Sequence, residues 1–199
     1  MTTSANAKTP PLAWRAKVCA AVLALVLLLD QLTKVAVRAA GDAFHITVIP
    51  GLIDFAFVRN VGAAFSMGEG HGLAFAALAA VVVVAVAVYL VKAPELSKVE
   101  VAGLSLVCAG AIGNAIDRLA FGYVTDFIMT TFIDFPVFNV ADIAICCGVA
   151  LAFVGYIALS PAAKVDATAE LNARDEARAA RKAKERGERA KKIRERQGR

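Results

Sequence analysis

Between Gly72 and Val91 the chain runs for 20 residues, GLAFAALAAVVVVAVAVYLV, without a charged side chain. At about 1.5 Å per residue, a helix of that length spans the roughly 30 Å hydrocarbon core of a bilayer. No water is available there to satisfy exposed backbone groups, so an apolar run must close its hydrogen bonds within itself and cross as a helix. The rest of the sequence agrees with a membrane setting: hydrophobic residues make up 59%, above the roughly 45–50% of soluble domains, and the mean hydropathy is +0.64. Three further apolar runs begin at Trp14, Val99 and Phe138. The first continues through Asp30 and Lys34, which stand at i, i+4 and can pair on one helical face. The run from Val99 is rich in Ala, Gly and Ser, small residues that let helices approach closely in lipid. The expected fold is an all-α membrane protein with four transmembrane helices, at about 14–38, 71–92, 99–118 and 139–160, forming one domain over residues 14–160.

The connections differ in kind. In the first outer loop, residues 39–70, His45 to Ile49 and Leu52 to Val58 read as two short strands around the Pro50-Gly51 turn, giving a small extracytoplasmic β-sheet. Residues 119–138 are expected to form the second outer loop. Lys and Arg near membrane ends accumulate on the cytoplasmic side. Lys8, Arg15 and Lys17 precede the first span, Lys92 and Lys98 join the second to the third, and Lys164 and its successors follow the fourth, whereas the other side carries only Arg38, Arg59 and Arg118. Both termini are therefore expected in the cytoplasm. Residues 1–13 are polar, with Pro10 and Pro11, and read as a disordered lead-in. Residues 161–199 form a basic tail. From Lys164 it holds 13 of the 22 Lys and Arg and 7 of the 17 Asp and Glu, which leaves 9 and 10 elsewhere, so the net +5 belongs to the tail. Mixed charge and few apolar residues make that tail a solvated helix drawn to anionic lipid headgroups, and no nucleic acid is expected as a partner. Cys19, Cys108, Cys146 and Cys147 lie in apolar runs without metal-ligand spacing and read as packing residues.

An inert anchor would carry Leu, Ile and Val at its membrane edges, yet this chain collects polar residues between Gly110 and Ile145. Asn114, Asp117 and Arg118 fall at i, i+3 and i+4 and share a helical face. Asp126 follows, and Asn139 and Asp142 open the last apolar run. Carboxylates at a membrane edge are costly unless paired or functional. A Ser-His-Asp triad is not credible, because the two histidines, His45 and His71, lie in or beside the first loop; neither HExxH nor a Cys/His cluster points to zinc. What remains is acid–base chemistry by carboxylates. Two of them brought close in a low dielectric share one proton, so that one can take a proton from water while the other hydrogen-bonds a carbonyl. Such a pair must come from different elements, as Asp126 and Asp142 do. Structural readings stand beside this one. Asn139 and Asp142 fit a helix N-cap and an acidic third residue, Asp126 and Asp134 fit turns, and Asp117 beside Arg118 fits an ion pair. Asp30 with Lys34 fits a charge pair at the outer end of the first helix. A non-enzymatic membrane protein whose acids relay protons is the rival class.

Five segments, Asp30-Gln-Leu-Thr-Lys34, Asn60-Val-Gly-Ala-Ala-Phe65, Ala109-Gly-Ala-Ile-Gly-Asn-Ala-Ile-Asp-Arg118, Val124-Thr-Asp126-Phe and Phe138-Asn-Val-Ala-Asp142, follow one another at consistent spacing. In them the chain resembles the bacterial lipoprotein signal peptidases (signal peptidase II) over residues 14–160. The resemblance implies an aspartic endopeptidase of the bacterial cytoplasmic (inner) membrane, active near the outer face as a monomer and without cofactor or metal. It implies cleavage of diacylglyceryl-modified prolipoproteins on the amino side of the lipidated cysteine, with those substrates and membrane lipids as partners. By that match Asp126 and Asp142 are the catalytic dyad, and Asn60, Gly62, Asn114, Arg118 and Asn139 line the substrate site. Asp30, Lys34 and Asp117 support it. The chain departs from the family pattern in having Ala109-Gly110 where two glycines are usual, in lacking a Trp between the two acids, in carrying Asp134 there, and in its basic tail.

Overall fold

The computed structural model describes residues 9–62, 70–160, 172 and 174–185. The chain forms two compact units, Met1–Ala163 and Lys164–Arg199. In the second, residues 174–185 are helical and exposed, with an i, i+4 pair between Arg181 and Glu185 at 3.3 Å; the remainder of the expected lipid-facing tail lies outside the described residues, as do residues 1–8 of the expected lead-in.

In the first unit every long apolar run is helical. The helices are α1 (Leu12–Ala40), α2 (Gly72–Lys92), α3 (Lys98–Phe121) and α4 (Val140–Val154), the last extended by a π-helical turn at Gly155–Leu159. Each is long and apolar enough to cross a bilayer, counting α4 with its extension. Local chemistry sets their ends. α1 begins inside the expected lead-in, because the Pro11 carbonyl accepts from Trp14 N and Arg15 N at 2.9 and 3.0 Å. α3 starts on a reciprocal cap, in which Glu100 N donates to Ser97 Oγ and Ser97 N to Glu100 Oε2. It stops at Gly122, whose φ of +79° suits a residue without a Cβ. α4 starts on the same kind of cap, built from Asn139 and Asp142.

α3 is the hub, packed against each of the other three helices and most extensively against α4. Small residues allow this approach. A Cβ on Gly110 would collide with the Ala141 carbonyl, and one on Gly148 would stand 2.7 Å from Gly103 O. Ala109, where the family pattern has a glycine, is fully buried against Val26 and Ala144, so its methyl fills the core. α2 and α4 flank α3 without packing extensively on each other.

Outside the helices lies a three-stranded antiparallel sheet in the order β1 (His45–Ile49), β2 (Ile53–Asn60), β3 (Val124–Thr130). The β1–β2 hairpin turns at Pro50-Gly51 as the sequence indicates. The third strand is a correction: Val124–Thr130 was expected within an outer loop, with Asp126 compatible with a turn, yet Asp126 lies in a paired strand opposite Val58. Phe138 bridges to Ile128 and brings the start of α4 against β3.

Candidate active site

Asp126 and Asp142 reach one place from different elements. On β3, Asp126 pairs with Val58, which puts Asn60, two residues on along the same face of β2, on the diagonal within side-chain reach. Asp142 stands in the first turn of α4, in the cap with Asn139. Both carboxyls line a cavity of about 620 Å³, together with Asn60, Asn114 and Arg118. The remaining wall is apolar: Phe75, Leu78 and Val82 from α2, and Phe135 to Phe138 from the segment after β3.

Each of the four carboxylate oxygens receives one N–H, and every donor is neutral. Asn139 Nδ2 donates to Asp126 Oδ1 at 2.7 Å and Asn60 Nδ2 to Asp126 Oδ2 at 2.9 Å. Asn114 Nδ2 donates to Asp142 Oδ1 at 2.7 Å and Asn139 N to Asp142 Oδ2 at 3.0 Å. An sp² oxygen has two acceptor sites, so each retains one for water or substrate. Asp126 lies outside the spanning helices and is 2% exposed. Burial pushes its carboxyl up to about 7, against the hydrogen bond from Asn60, with the nearby Asp142 charge adding to the rise. Below about pH 7 the Asp126 carboxyl therefore carries a proton.

Behind the two acids sits a fully buried brace of charges. Lys34 Nζ is 2.9 Å from Asp30 Oδ2, 2.9 Å from Asn114 Oδ1 and 3.8 Å from Asp117 Oδ2. Asp30 Oδ1 accepts from Ala141 N at 3.0 Å, holding the start of the helix that carries Asp142. Asp117 Oδ2 accepts from Thr125 N at 2.9 Å, holding the strand residue before Asp126. The brace thus fixes both halves of the pair through backbone amides. Gly113 makes room for it, because a Cβ there would stand 2.6 Å from Asp30 Oδ2.

Asn60, Gly62, Asn114, Arg118 and Asn139 all come to the site. Gly62 N donates to Asn60 Oδ1 at 3.0 Å, and Gly62 O accepts from Arg118 Nη2 at 3.0 Å. Arg118 also lies over the Phe75 ring, 5.3 Å from its centroid. The end of the Asn60 to Phe65 motif lies outside the described residues. Asp117 does not pair with Arg118 as expected. Successive helical residues point about 100° apart, so Asp117 turns toward α1 and Arg38, at 3.3 Å, while Arg118 faces the cavity. Asp134 is exposed. Cys146 and Cys147 are not internal packing residues: both are exposed and border the cavity, whereas Cys108 is buried. Among the described residues no group of His, Cys, Asp and Glu is placed to hold a metal ion.

Three contributors, Arg38, Thr125 and Gln31, were missed by the sequence reading. Arg38 Nη1 donates to Thr125 Oγ1 at 2.8 Å as well as facing Asp117, and Gln31 Nε2 donates to Asp30 Oδ2 at 3.0 Å. The signal for Arg38 was its spacing, since Asp30, Lys34 and Arg38 stand four residues apart on one face of α1.

Residues 22–158 match the family described as Signal peptidase (SPase) II. The lipoprotein signal peptidase of Gloeobacter violaceus is 43% identical over 139 residues, covering 68% of this chain and 78% of that protein. That of Latilactobacillus sakei is 42% identical over 136 residues, covering 67% and 89%. A solved bacterial membrane enzyme structure, obtained by the in meso method at 2.3 Å resolution, superposes with a TM-score of 0.66 at 30% identity, covering 70% of this chain and 87% of that one. The chain belongs to the signal peptidase II family.

Proposed function

We propose that this chain is an aspartic endopeptidase that removes the signal peptide from prolipoproteins, cutting on the amino side of the diacylglyceryl-modified cysteine, with Asp126 and Asp142 as its dyad. Family membership makes it a membrane peptidase of lipoprotein maturation. The aspartic mechanism rests on one observation: two carboxyls from separate elements border a single cavity, each oxygen holding one neutral donor and one open acceptor site.

The chemistry follows from a shared proton. A water between the two carboxyls gives a proton to the ionised one as its oxygen bonds to the scissile carbonyl carbon, while the protonated one hydrogen-bonds the carbonyl oxygen as it gains charge. The tetrahedral intermediate collapses when the leaving nitrogen takes a proton from the dyad, which restores the starting state. Asn60, Asn114 and Asn139 hold the carboxyls; the second N–H of Asn60 and of Asn114 faces peptide backbone, while that of Asn139 is given to Asn114 Oδ1 at 3.1 Å. Arg118 and Gly62 form the rim that grips the substrate near its lipid-linked end.

The signal helix and acyl chains enter sideways between α2 and α4, where the cavity wall is apolar, because both prefer hydrocarbon to water. The active unit is a monomer with both termini in the cytoplasm and the dyad near the outer face of a bacterial cytoplasmic membrane, the arrangement that the Lys and Arg distribution favours.

The test is turnover of a fluorogenic diacylglyceryl lipopeptide by the purified full chain. Asp126→Asn and Asp142→Asn are each expected to lower it by about 10³–10⁴-fold in a protein that keeps its fold. Normal turnover by either variant removes the dyad. Products cut elsewhere than before the modified cysteine, read by mass spectrometry, remove the site assignment.

A further inference from the structure

An asparagine amide can stand either way round, and only one way serves Asp142. Asn114 presents Nδ2–H to Asp142 Oδ1 at 2.7 Å and its oxygen to two donors, Asn139 Nδ2 at 3.1 Å and Lys34 Nζ at 2.9 Å. Reversed, the amide would set its oxygen against a carboxyl and its NH₂ against an ammonium, which accepts nothing. Of the two donors on that oxygen, Asn139 is itself an amide, whose orientation depends in turn on Asp142 N at 3.0 Å and Asp126 Oδ1 at 2.7 Å. Lys34 offers only N–H, in any rotamer. Its side chain is fully buried and held at 2.9 Å by Asp30, so it does not withdraw into water.

We propose that Lys34 is a positioning residue for the dyad: acting through Asn114, its ammonium fixes the amide orientation that delivers an N–H to Asp142. This rests on reading Asp126 and Asp142 as the reacting pair. The ammonium also acts through space. The charged groups set around the dyad are Asp30 and Lys34 from α1, with Arg38 further out, and Asp117 and Arg118 from α3; the wall from α2 is Phe75, Leu78, Ala79 and Val82, none of which titrates. The Lys34 charge opposes proton uptake by Asp126, so its removal leaves the pair holding its proton more tightly.

The experiment uses the full chain in detergent micelles with a fluorogenic diacylglyceryl lipopeptide. Lys34→Met is expected to lower kcat about 100-fold with KM changed less than about threefold, the mark of a misplaced reacting group rather than lost binding. The acidic limb of the kcat profile is expected to move up by about one pH unit. In an Asn114→Ala background the same substitution should cost less than about threefold more, because the route through Asn114 is already cut. Losses that multiply instead would overturn the proposal.

Lys34→Met leaves Asp30 buried without its cation, so Asp30→Asn/Lys34→Met is made beside it, a neutral pair that keeps an acceptor for Ala141 N. The same kcat loss is expected there with a smaller movement of the limb, since opposite charges leave together. Wild-type kcat in either folded variant overturns the proposal, and so does failure of both to fold, which would make Lys34 a structural residue alone. Asp142→Asn separates the two levels. If it is active, the dyad reading itself falls; if it is inactive while Lys34→Met keeps full kcat, only this inference does.

Discussion

At the end of the helices away from the sheet, Arg15 donates to the carbonyls of Pro10, Leu90 and Ala93 at 2.8–3.0 Å, and Glu100 accepts from Tyr89 Oη at 2.7 Å and from Ser97 N at 3.4 Å. At the sheet end, Asp126 and Asp142 accept only from asparagine amides and a backbone N–H, with Lys34 one residue further back. Glu100 and Asp126 are equally buried, 2% exposed each, so depth does not tell them apart. The difference lies in what each acid is left able to do. Glu100 closes a helix cap and receives a phenol, a closed structural circuit, whereas Asp126 borders a cavity with a second acid. A buried acid reads as reactive when its partners are neutral, its neighbour is another acid and it has an opening, and the sharpest way to break that contrast is to remove each charge. Asp126→Asn is expected to cost about 10³–10⁴-fold in lipopeptide turnover, and Glu100→Gln less than about threefold. Comparable losses in both would erase the distinction.

The next largest effect is on stability. Asp30→Ala removes the nearer carboxylate from the buried Lys34 ammonium, leaving Asp117 at 3.8 Å, and frees Ala141 N, so a loss of about 3–5 kcal/mol is expected. Arg15→Met also removes a buried cation, but the groups left behind are carbonyls at the end of α2 rather than a charge, and about 1–3 kcal/mol is expected. Thermal unfolding in one detergent ranks the two, and an equal or reversed order would mean that the brace at the sheet end is not the more costly one to open.

The contrast also marks how far the sequence could be read. Four apolar runs and the Pro50-Gly51 hairpin were legible because each follows a local rule, of length or of turn chemistry. The polar residues were legible as a set because a charge at a membrane edge needs a reason. β3 was not: Val124 to Phe127 are all buried, so the period-two alternation that betrays a half-exposed strand is missing. The partners of Asp117 were not legible either, because sequence neighbours suggested Arg118, while the actual cations, Lys34 and Arg38, lie on another helix. Tertiary pairing of this kind leaves only the four-residue spacing on α1 as a trace.

A pH series sharpens the comparison at a smaller scale. The Asp126 carboxyl rises from an ordinary 3.8 to about 7 in the folded chain. Folding therefore tightens proton binding there, and the associated stability is complete below about pH 4 and lost as pH rises through about 7. Wild type should lose stability relative to Asp126→Asn across that window, by a few kcal/mol at most, with the difference level above about pH 8. A flat difference for Asp126→Asn would mean that the carboxyl is not carrying a proton at neutral pH.

The smallest expected effect tests whether the two ends differ in geometry as well as charge. Gly110 and Gly155 both sit in close helix contacts: a Cβ on Gly110 would collide with Ala141 O, and one on Gly155 would meet Glu100 N at 2.5 Å. Overpacking at either costs about 1–3 kcal/mol, so Gly110→Ala and Gly155→Ala should lower stability alike. Their consequences for turnover should diverge. Ala141 is the residue before Asp142, and Gly110 lies one turn from Asn114, so opening that contact separates the donor from the acid it holds at 2.7 Å. Even about 1 Å of displacement there is expected to cost up to about 100-fold in kcat. Displacement at Gly155 moves Glu100 and the Ser97 cap, which touch no reacting atom. Lipopeptide turnover normalised to folded protein reads the divergence directly, and matched losses in the two alanine variants would show that the α3–α4 seam transmits strain along its whole length.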